Sequence, residues 1–204
     1  MWTQAKICNI ALSALLLQRQ ITNLDTDTSN EGKVLKTHFN AALYSTLEDM
    51  DLDSTSTTVT LELLEENPDD IWDYAYKYPK NCALFRRIVS PVETDNRKTH
   101  IPKRVRMHGN KKAIFTNQDE AEAEIITTDF PLDMLSTNAG LAIAYKLAML
   151  SSPLVVGKGS DKLREEIERK YAFYKAEAQE QDRVENFTFQ DDETISEFVE
   201  ARME

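Results

Sequence analysis

The sequence is short of cysteine, with two in 204 residues, Cys8 and Cys82, far apart in the chain. A disulfide framework is therefore not expected, and two separate structural thiols in a reducing compartment are. The three histidines, His38, His100 and His108, pair neither with one another nor with a cysteine at metal-ligand spacing. No apolar run approaches the length that a membrane helix needs. Met1-Trp2-Thr3-Gln4-Ala5-Lys6 lacks the basic stretch, apolar core and cleavage site of a secretory signal. There is no nucleophile elbow, Walker loop or dinucleotide fingerprint. Gly157-Lys158-Gly159-Ser160 has the residue types of a phosphate loop without its spacing, and reads as a turn between helices. No catalytic residue, metal or cofactor follows from these residues, and the expectation is a protein that is not an enzyme.

What is present is a core-forming composition with an uneven charge pattern. Hydrophobic residues make up 41% and charged residues 29%, which suits a globular chain of one or two domains. The net charge is −11. From Glu48 to Asp73 there are ten acidic residues and no basic ones, and Asn117 to Asp133 adds six acids and no bases. Between them, Arg86 to Lys112 carries nine basic residues against two acidic. A +7 segment thus sits in a chain that is otherwise −18. Opposite patches of this kind suit association between copies, steered by complementary potential. The basic residues Arg97, Lys98, Lys103, Arg104, Arg106, Lys111 and Lys112 are the candidates for an interface with a neighbouring subunit or another protein. No aromatic interleaving marks them as a nucleic-acid surface.

Hydrophobic spacing predicts helices over about 3–17, 30–49, 132–151 and 161–181. Thr3 can cap the first. The short connector after it predicts that the first two helices pair antiparallel. Pro131 opens the third, which is apolar on most sides and rich in small residues, and Ser151-Ser152-Pro153 ends it. Residues 50–67 read as loop with a short strand. Leu84–Val89, a hairpin turning at Gly109-Asn110, and Ala121–Thr128 read as strands. Trp72-x-Tyr74-x-Tyr76-x-x-Pro79-x-x-Cys82 places three aromatics on one face of an extended segment, which Pro79 then interrupts. The fold expected is mainly α with a β insertion: an antiparallel bundle of about four helices, a small antiparallel β-sheet and an extended C-terminal arm. Its parts are an N-terminal helical hairpin (1–66), the β insertion (67–130), the closing helices (131–181) and the arm (182–204). Phe187, Phe189, Ile195, Phe198 and Val199 are the apolar residues of that arm.

Three segments together resemble the head-to-tail adaptor family of tailed bacteriophages, the group of tail tubular protein A-like connectors. One is Ile7-x-Asn9-x-Ala11-Leu12, continued by Ile21-x-x-Leu24-Asp25 and Ala42-Leu43-Tyr44-x-x-Leu47. The second is the aromatic–proline element, with Trp72, Tyr74, Tyr76 and Pro79 as the family core motif. The third is Ile114-Phe115-Thr116-Asn117 followed by Ala142-x-x-Tyr145-x-Leu147-Ala148. Leu17-Gln18 stands where the family often has a glycine turn, and Asp53-Ser54-Thr55-Ser56 where it has an aromatic pair.

The resemblance implies a structural virion protein at the head–tail junction, made in the host cytoplasm and not tied to a membrane. It implies a homo-oligomeric ring, commonly twelvefold, docked on the portal protein and facing a tail nozzle or other tail protein. The C-terminal arm would reach the portal. Genomic double-stranded DNA would pass through without sequence-specific contact, and the acidic runs 48–73 and 117–133, if they line the bore, would keep it from sticking. A rival expectation is an acidic DNA-mimic or anti-defence protein. An enzyme would instead need a concave pocket with convergent polar groups.

Overall fold

The computed structural model describes residues 1–89, 101–157 and 161–186. Four helices, α1 (Gln4–Ala14), α2 (Asn30–Met50), α3 (Thr137–Val155) and α4 (Asp161–Glu185), make one layer. Seven strands make two antiparallel sheets. β1 (Ser56–Thr60), β7 (Glu122–Thr127) and β4 (Cys82–Val89) lie in that order in sheet A, with β7 central. Sheet B has the order β2 (Leu63–Glu66), β3 (Tyr74–Lys77), β6 (Lys111–Thr116) and β5 (Arg104–His108). The single small sheet expected is therefore two. Strands also begin at Ser56, inside the span read as the N-terminal helical hairpin.

Capping side chains set the helix starts. The Thr3 hydroxyl accepts the Lys6 N–H at 3.2 Å, the Ser29 hydroxyl that of Gly32 at 3.0 Å, and the Ser136 hydroxyl that of Ala139 at 3.2 Å. α1 stops at Ala14 and not at 17. Leu16 turns left-handed (φ 61°), its N–H bonds to Ser13 O, and the Leu17 N–H reaches back to Leu12 O at 3.0 Å. Before α3, a short 3₁₀ turn at Leu132–Met134 follows Pro131, so the helix starts at Thr137 and not at Pro131. At its other end α3 runs through Pro153 to Val155. Proline cannot supply the N–H that the Met149 carbonyl needs. The Ser152 hydroxyl donates to that carbonyl at 3.2 Å instead.

α3 is the hub of the helical layer. It packs against α1, α2 and α4, whereas α1 and α2 barely touch, so the antiparallel pair expected from their short connector does not form. Ala139, Gly140, Ala142, Ala144 and Ala148 are fully buried on α3 and let its neighbours come close. The Trp2 indole lies against Gly140, and its Nε1–H donates to the Ser136 carbonyl at 3.1 Å.

Sheet A stands between the helices and sheet B. Along β7, Ile126 joins the helical core with Leu84 beside it, while Ile125 and Ala123 point the other way, toward Tyr76 and Ile114 of sheet B. The period-2 alternation of strands thus supplies two cores from one strand. The far side of sheet B carries a third, smaller cluster of Ala75, Ala113 and Phe115, with Trp72 and Leu64 packed on it.

A Cβ at residue 140 would stand 2.1 Å from the indole of Trp2. Gly140→Ala is expected to push Trp2 out and cost about 1–3 kcal/mol, the range for overpacking. Chemical denaturation measures the loss. Combining it with Trp2→Ala should cost less than the sum of the two single changes.

Candidate interaction surface

The strongest polar constellation lies where the helical layer meets sheet A. In β4 the pairing passes from Phe85–Ile125 to Arg87–Glu124, which leaves Arg86 as the extra residue of a bulge. The bulge lets two successive arginines reach one carboxylate. Arg86 Nη1 lies 2.9 Å from Glu124 Oε1, and Arg87 Nε lies 2.6 Å from Glu124 Oε2. Arg86 Nε also bonds Asp51 Oδ1 at 2.7 Å, its Nη2 bonds the Asp51 carbonyl at 2.9 Å, and its Nη1 bonds Asp53. Asp51 is the left-handed C-cap of α2 (φ 51°). The Lys103 ammonium donates to the Arg86 carbonyl and lies over the Phe85 ring at 4.0 Å. From α4, the Asp182 carboxylate accepts the N–H groups of Asp53 and Ser54 at 2.7 and 3.0 Å. Desolvation opposes ionisation of Glu124, but the hydrogen bonds from Arg86 and Arg87 outweigh it and hold its carboxyl below the usual range.

A second joint ties three helices. The Tyr171 hydroxyl of α4 donates to Asp49 Oδ2 of α2 at 2.7 Å, and Lys146 Nζ of α3 lies 3.5 Å from the same oxygen. The Tyr171 hydrogen bond keeps Asp49 below the usual carboxylate range, while burial and this bond raise the phenol.

The far side of sheet B is closed by side chains from the loop between β2 and β3. Asp69 Oδ1 accepts the N–H groups of Ile71 and Trp72, each at 2.9 Å, and Asp69 Oδ2 pairs with Arg106. The Arg106 guanidinium lies 3.9 Å above the Phe115 ring, and His108 meets the ring edge-on at 5.7 Å while pairing with Glu65 at 2.6 Å. Phe115 is fully buried beneath these charged groups.

The expected site residues separate accordingly. Tyr74 and Tyr76 share a face of β3, with ring centroids 6.1 Å apart, and the Tyr76 hydroxyl donates to the Gln118 carbonyl at 2.9 Å. Trp72 does not share that face. It precedes the strand, in the turn that Asp69 caps, and packs on the opposite side of sheet B. Pro79 lies in the loop between β3 and β4. Among the seven basic candidates, Lys103 and Arg106 are turned inward to partners within the chain. Lys112 stays exposed, with its ammonium 3.6 Å from the Tyr78 ring centroid. Arg104 and Lys111 are exposed and form no ion pair with the described residues. Arg97 and Lys98 lie outside the described residues, as do Phe187, Phe189, Ile195, Phe198 and Val199.

The acids divide in the same way. Asp51, Asp53, Glu62, Asp69 and Glu124 pair with cations of the same chain, and Glu65 with His108. Asp119, Glu66 and Asp73 instead gather around the Tyr74 phenol, whose pKa Asp119 raises most, followed by burial. The Arg86 joint was not anticipated from sequence. Its signal was the presence of an acidic run and a basic run of similar size in one chain, each able to neutralise the other. No family model matches the sequence, and no curated protein matches it.

The Glu124 pKa is lower folded than unfolded (about 4.3). As pH falls, the unfolded chain takes up this proton first. The stabilisation is complete above the unfolded value and is lost as pH falls through the folded one. The stability gap between the natural chain and Glu124→Gln, read from urea midpoints at pH 7 and at stepwise lower pH, should narrow with acid. Arg86→Met leaves three carboxylates short of a partner and should cost about 3 kcal/mol at pH 7, the lower end of the range for breaking a buried pair.

Proposed function

We propose that this is a structural virion protein of a tailed bacteriophage, a head-to-tail adaptor whose copies form a ring between the portal and the tail. The observation that carries this is the exposure of large apolar side chains in two separate regions. Leu16, Leu154 and Phe173 are 78%, 67% and 58% exposed on the helical layer, and Ile71 and Met107 are 67% and 63% exposed on the sheet layers. Exposed apolar groups on two unlike layers suit a head-to-tail contact, which closes into a ring when its rotation permits. Leu16 adds a second argument. It is held in a left-handed conformation that costs a branched residue about 1–2 kcal/mol, at the rim of a groove of about 220 Å³ lined by Ile10, Tyr145, Leu163 and Ile167. Strain and exposure at one residue point to a contact that repays both.

In this reading the four helices form a bundle that packs side by side with its neighbours. The sheet layers face the next tail component, the nozzle or another tail protein. The arm carrying Phe187, Phe189, Ile195, Phe198 and Val199 engages the portal. The ring is twelvefold, and Glu66, Asp73 and Asp119, which form no ion pair among the described residues, face the DNA in the bore, where like charge prevents adhesion. The same three acids are what favours the rival reading, a DNA mimic that occupies a DNA-binding protein.

Native mass spectrometry of the purified chain, alone and with portal, separates the two. The expected result is a monomer that becomes a ring only with portal. A chain that ignores portal and instead binds a DNA-binding protein tightly would replace the adaptor by the mimic. Leu16→Gly should leave the isolated chain as stable or more so, since glycine relieves the left-handed strain, yet weaken ring formation.

A further inference from the structure

Of the four sheet edges, three are guarded. β4 is bulged at two places and has Lys103 on its Arg86 carbonyl. β2 is bulged and carries Glu65 and Glu66. β5 carries Arg104, Arg106 and His108. β1 has none of these devices. Its sequence, Ser56-Thr57-Thr58-Val59-Thr60, is uncharged and mostly β-branched, and it pairs with β7 without a bulge. An uncharged, regular edge is a template for another strand.

The ladder fixes which backbone groups of β1 stay open. The Leu61 N–H donates to the carbonyl of Ala121, directly opposite, at 2.9 Å, so by alternation Val59 and Thr57 also turn their backbone groups toward β7. Thr58 and Thr60 turn theirs outward, where they have no partner among the described residues. The Ser56 N–H is taken by the Asp53 carbonyl, which leaves the Ser56 carbonyl open. The edge is therefore complementary to itself about Thr58, with an acceptor on Ser56 at one end and a donor on Thr60 at the other.

We infer that two copies of this chain pair β1 against β1, antiparallel about a two-fold axis at Thr58, and so join their A sheets into one. The two Thr58 residues exchange both backbone bonds, and each Thr60 N–H meets the Ser56 carbonyl of the other copy. No like charges face each other along the strands, and threonine pairs favourably with threonine across a ladder. The flanks are complementary as well. A cleft of about 380 Å³ is lined by Thr57, Val59, Ile125, Phe130 and Asp129, and a second, of about 340 Å³, by Val59, Thr60, Leu61 and Lys77. Lys80 lines both. Asp129 and Lys80 are exposed and form no ion pair with the described residues, whereas Lys77 is held by Glu62. The axis lays the Thr57 end of one strand against the Val59 end of the other. Each Val59 then stands beside the other copy's Thr57, at the larger cleft, and each Asp129 is brought toward the other copy's Lys80.

A two-fold contact closes on itself and cannot build a ring. The inference therefore concerns the free chain and stands apart from the ring reading. One short strand pair buries less than the roughly 1,200 Å² of the smaller stable interfaces. The pair thus forms at high concentration and comes apart at the low micromolar concentrations of native mass spectrometry, where a monomer is expected.

Sedimentation of the full chain from low micromolar to near-millimolar concentration tests this. The expected result is a monomer that becomes a dimer as concentration rises. Thr58→Lys sets two ammonium groups together on the axis, and should weaken association at least tenfold with unchanged helical circular dichroism. Cysteines in a Cys82→Ser background, under mild oxidation, read the register. Thr58→Cys should link two copies, because paired residues on the axis stand about 5.5 Å apart at Cα, within disulfide reach. Thr60→Cys, at a position that is also exposed, should not. A chain that stays monomeric throughout overturns the inference. So does a dimer that Thr58→Lys leaves intact, or cysteines that link equally at both positions or at neither.

Discussion

The Arg86 guanidinium is the tie on which the layered arrangement depends. It reaches the C-cap of α2 through Asp51, the turn that follows through Asp53, and the central strand of sheet A through Glu124. No other described side chain holds a helix end, a loop and a strand at once through charged bonds. Arginine suits the place because its planar fork carries five donors and stays charged when desolvated. The bulge that projects it would be a defect in a regular ladder, and here it aims the group. Asp182 completes the joint from α4 without a cation, by taking two backbone N–H groups that the turn leaves free.

Much of the fold was legible because it rests on local chemistry. Thr3 caps α1 as its hydroxyl predicts, the all-round apolar helix is the buried one, and Gly109 takes the positive φ (56°) of the hairpin turn. The errors fall where distant parts of the chain decide. The α1–α2 connector is short enough for direct pairing, but α3 lies between them, and nothing in the two helices announces that. Pro153 stops a helix only when the freed carbonyl lacks a donor, and Ser152 supplies one. Trp72 obeys the two-residue spacing of a strand, but Asp69 bends the backbone before the strand begins.

The charge pattern was read correctly as a pattern and incompletely as a surface. Much of it cancels inside the molecule, where Arg86, Arg87 and Arg106 meet acids 37–38 residues away or at the end of α2. The exposed charges without an ion pair among the described residues include Arg104 and Lys111 on one hairpin and the three acids around Tyr74. Exposed apolar groups, which composition cannot locate, carry as much of the functional reading as the charges do.

The central strand β7 serves two interiors, with Ile126 on the helical side and Ile125 on the other. A slip of one position would exchange the two faces and carry Glu124 from the side of Ile126 and Arg86 into the cluster that holds Tyr76 and Ile114. The partition between layers is therefore coded in the parity of six residues. Such a wall leaves diverging sequences little freedom, since each replacement is judged from both rooms it separates.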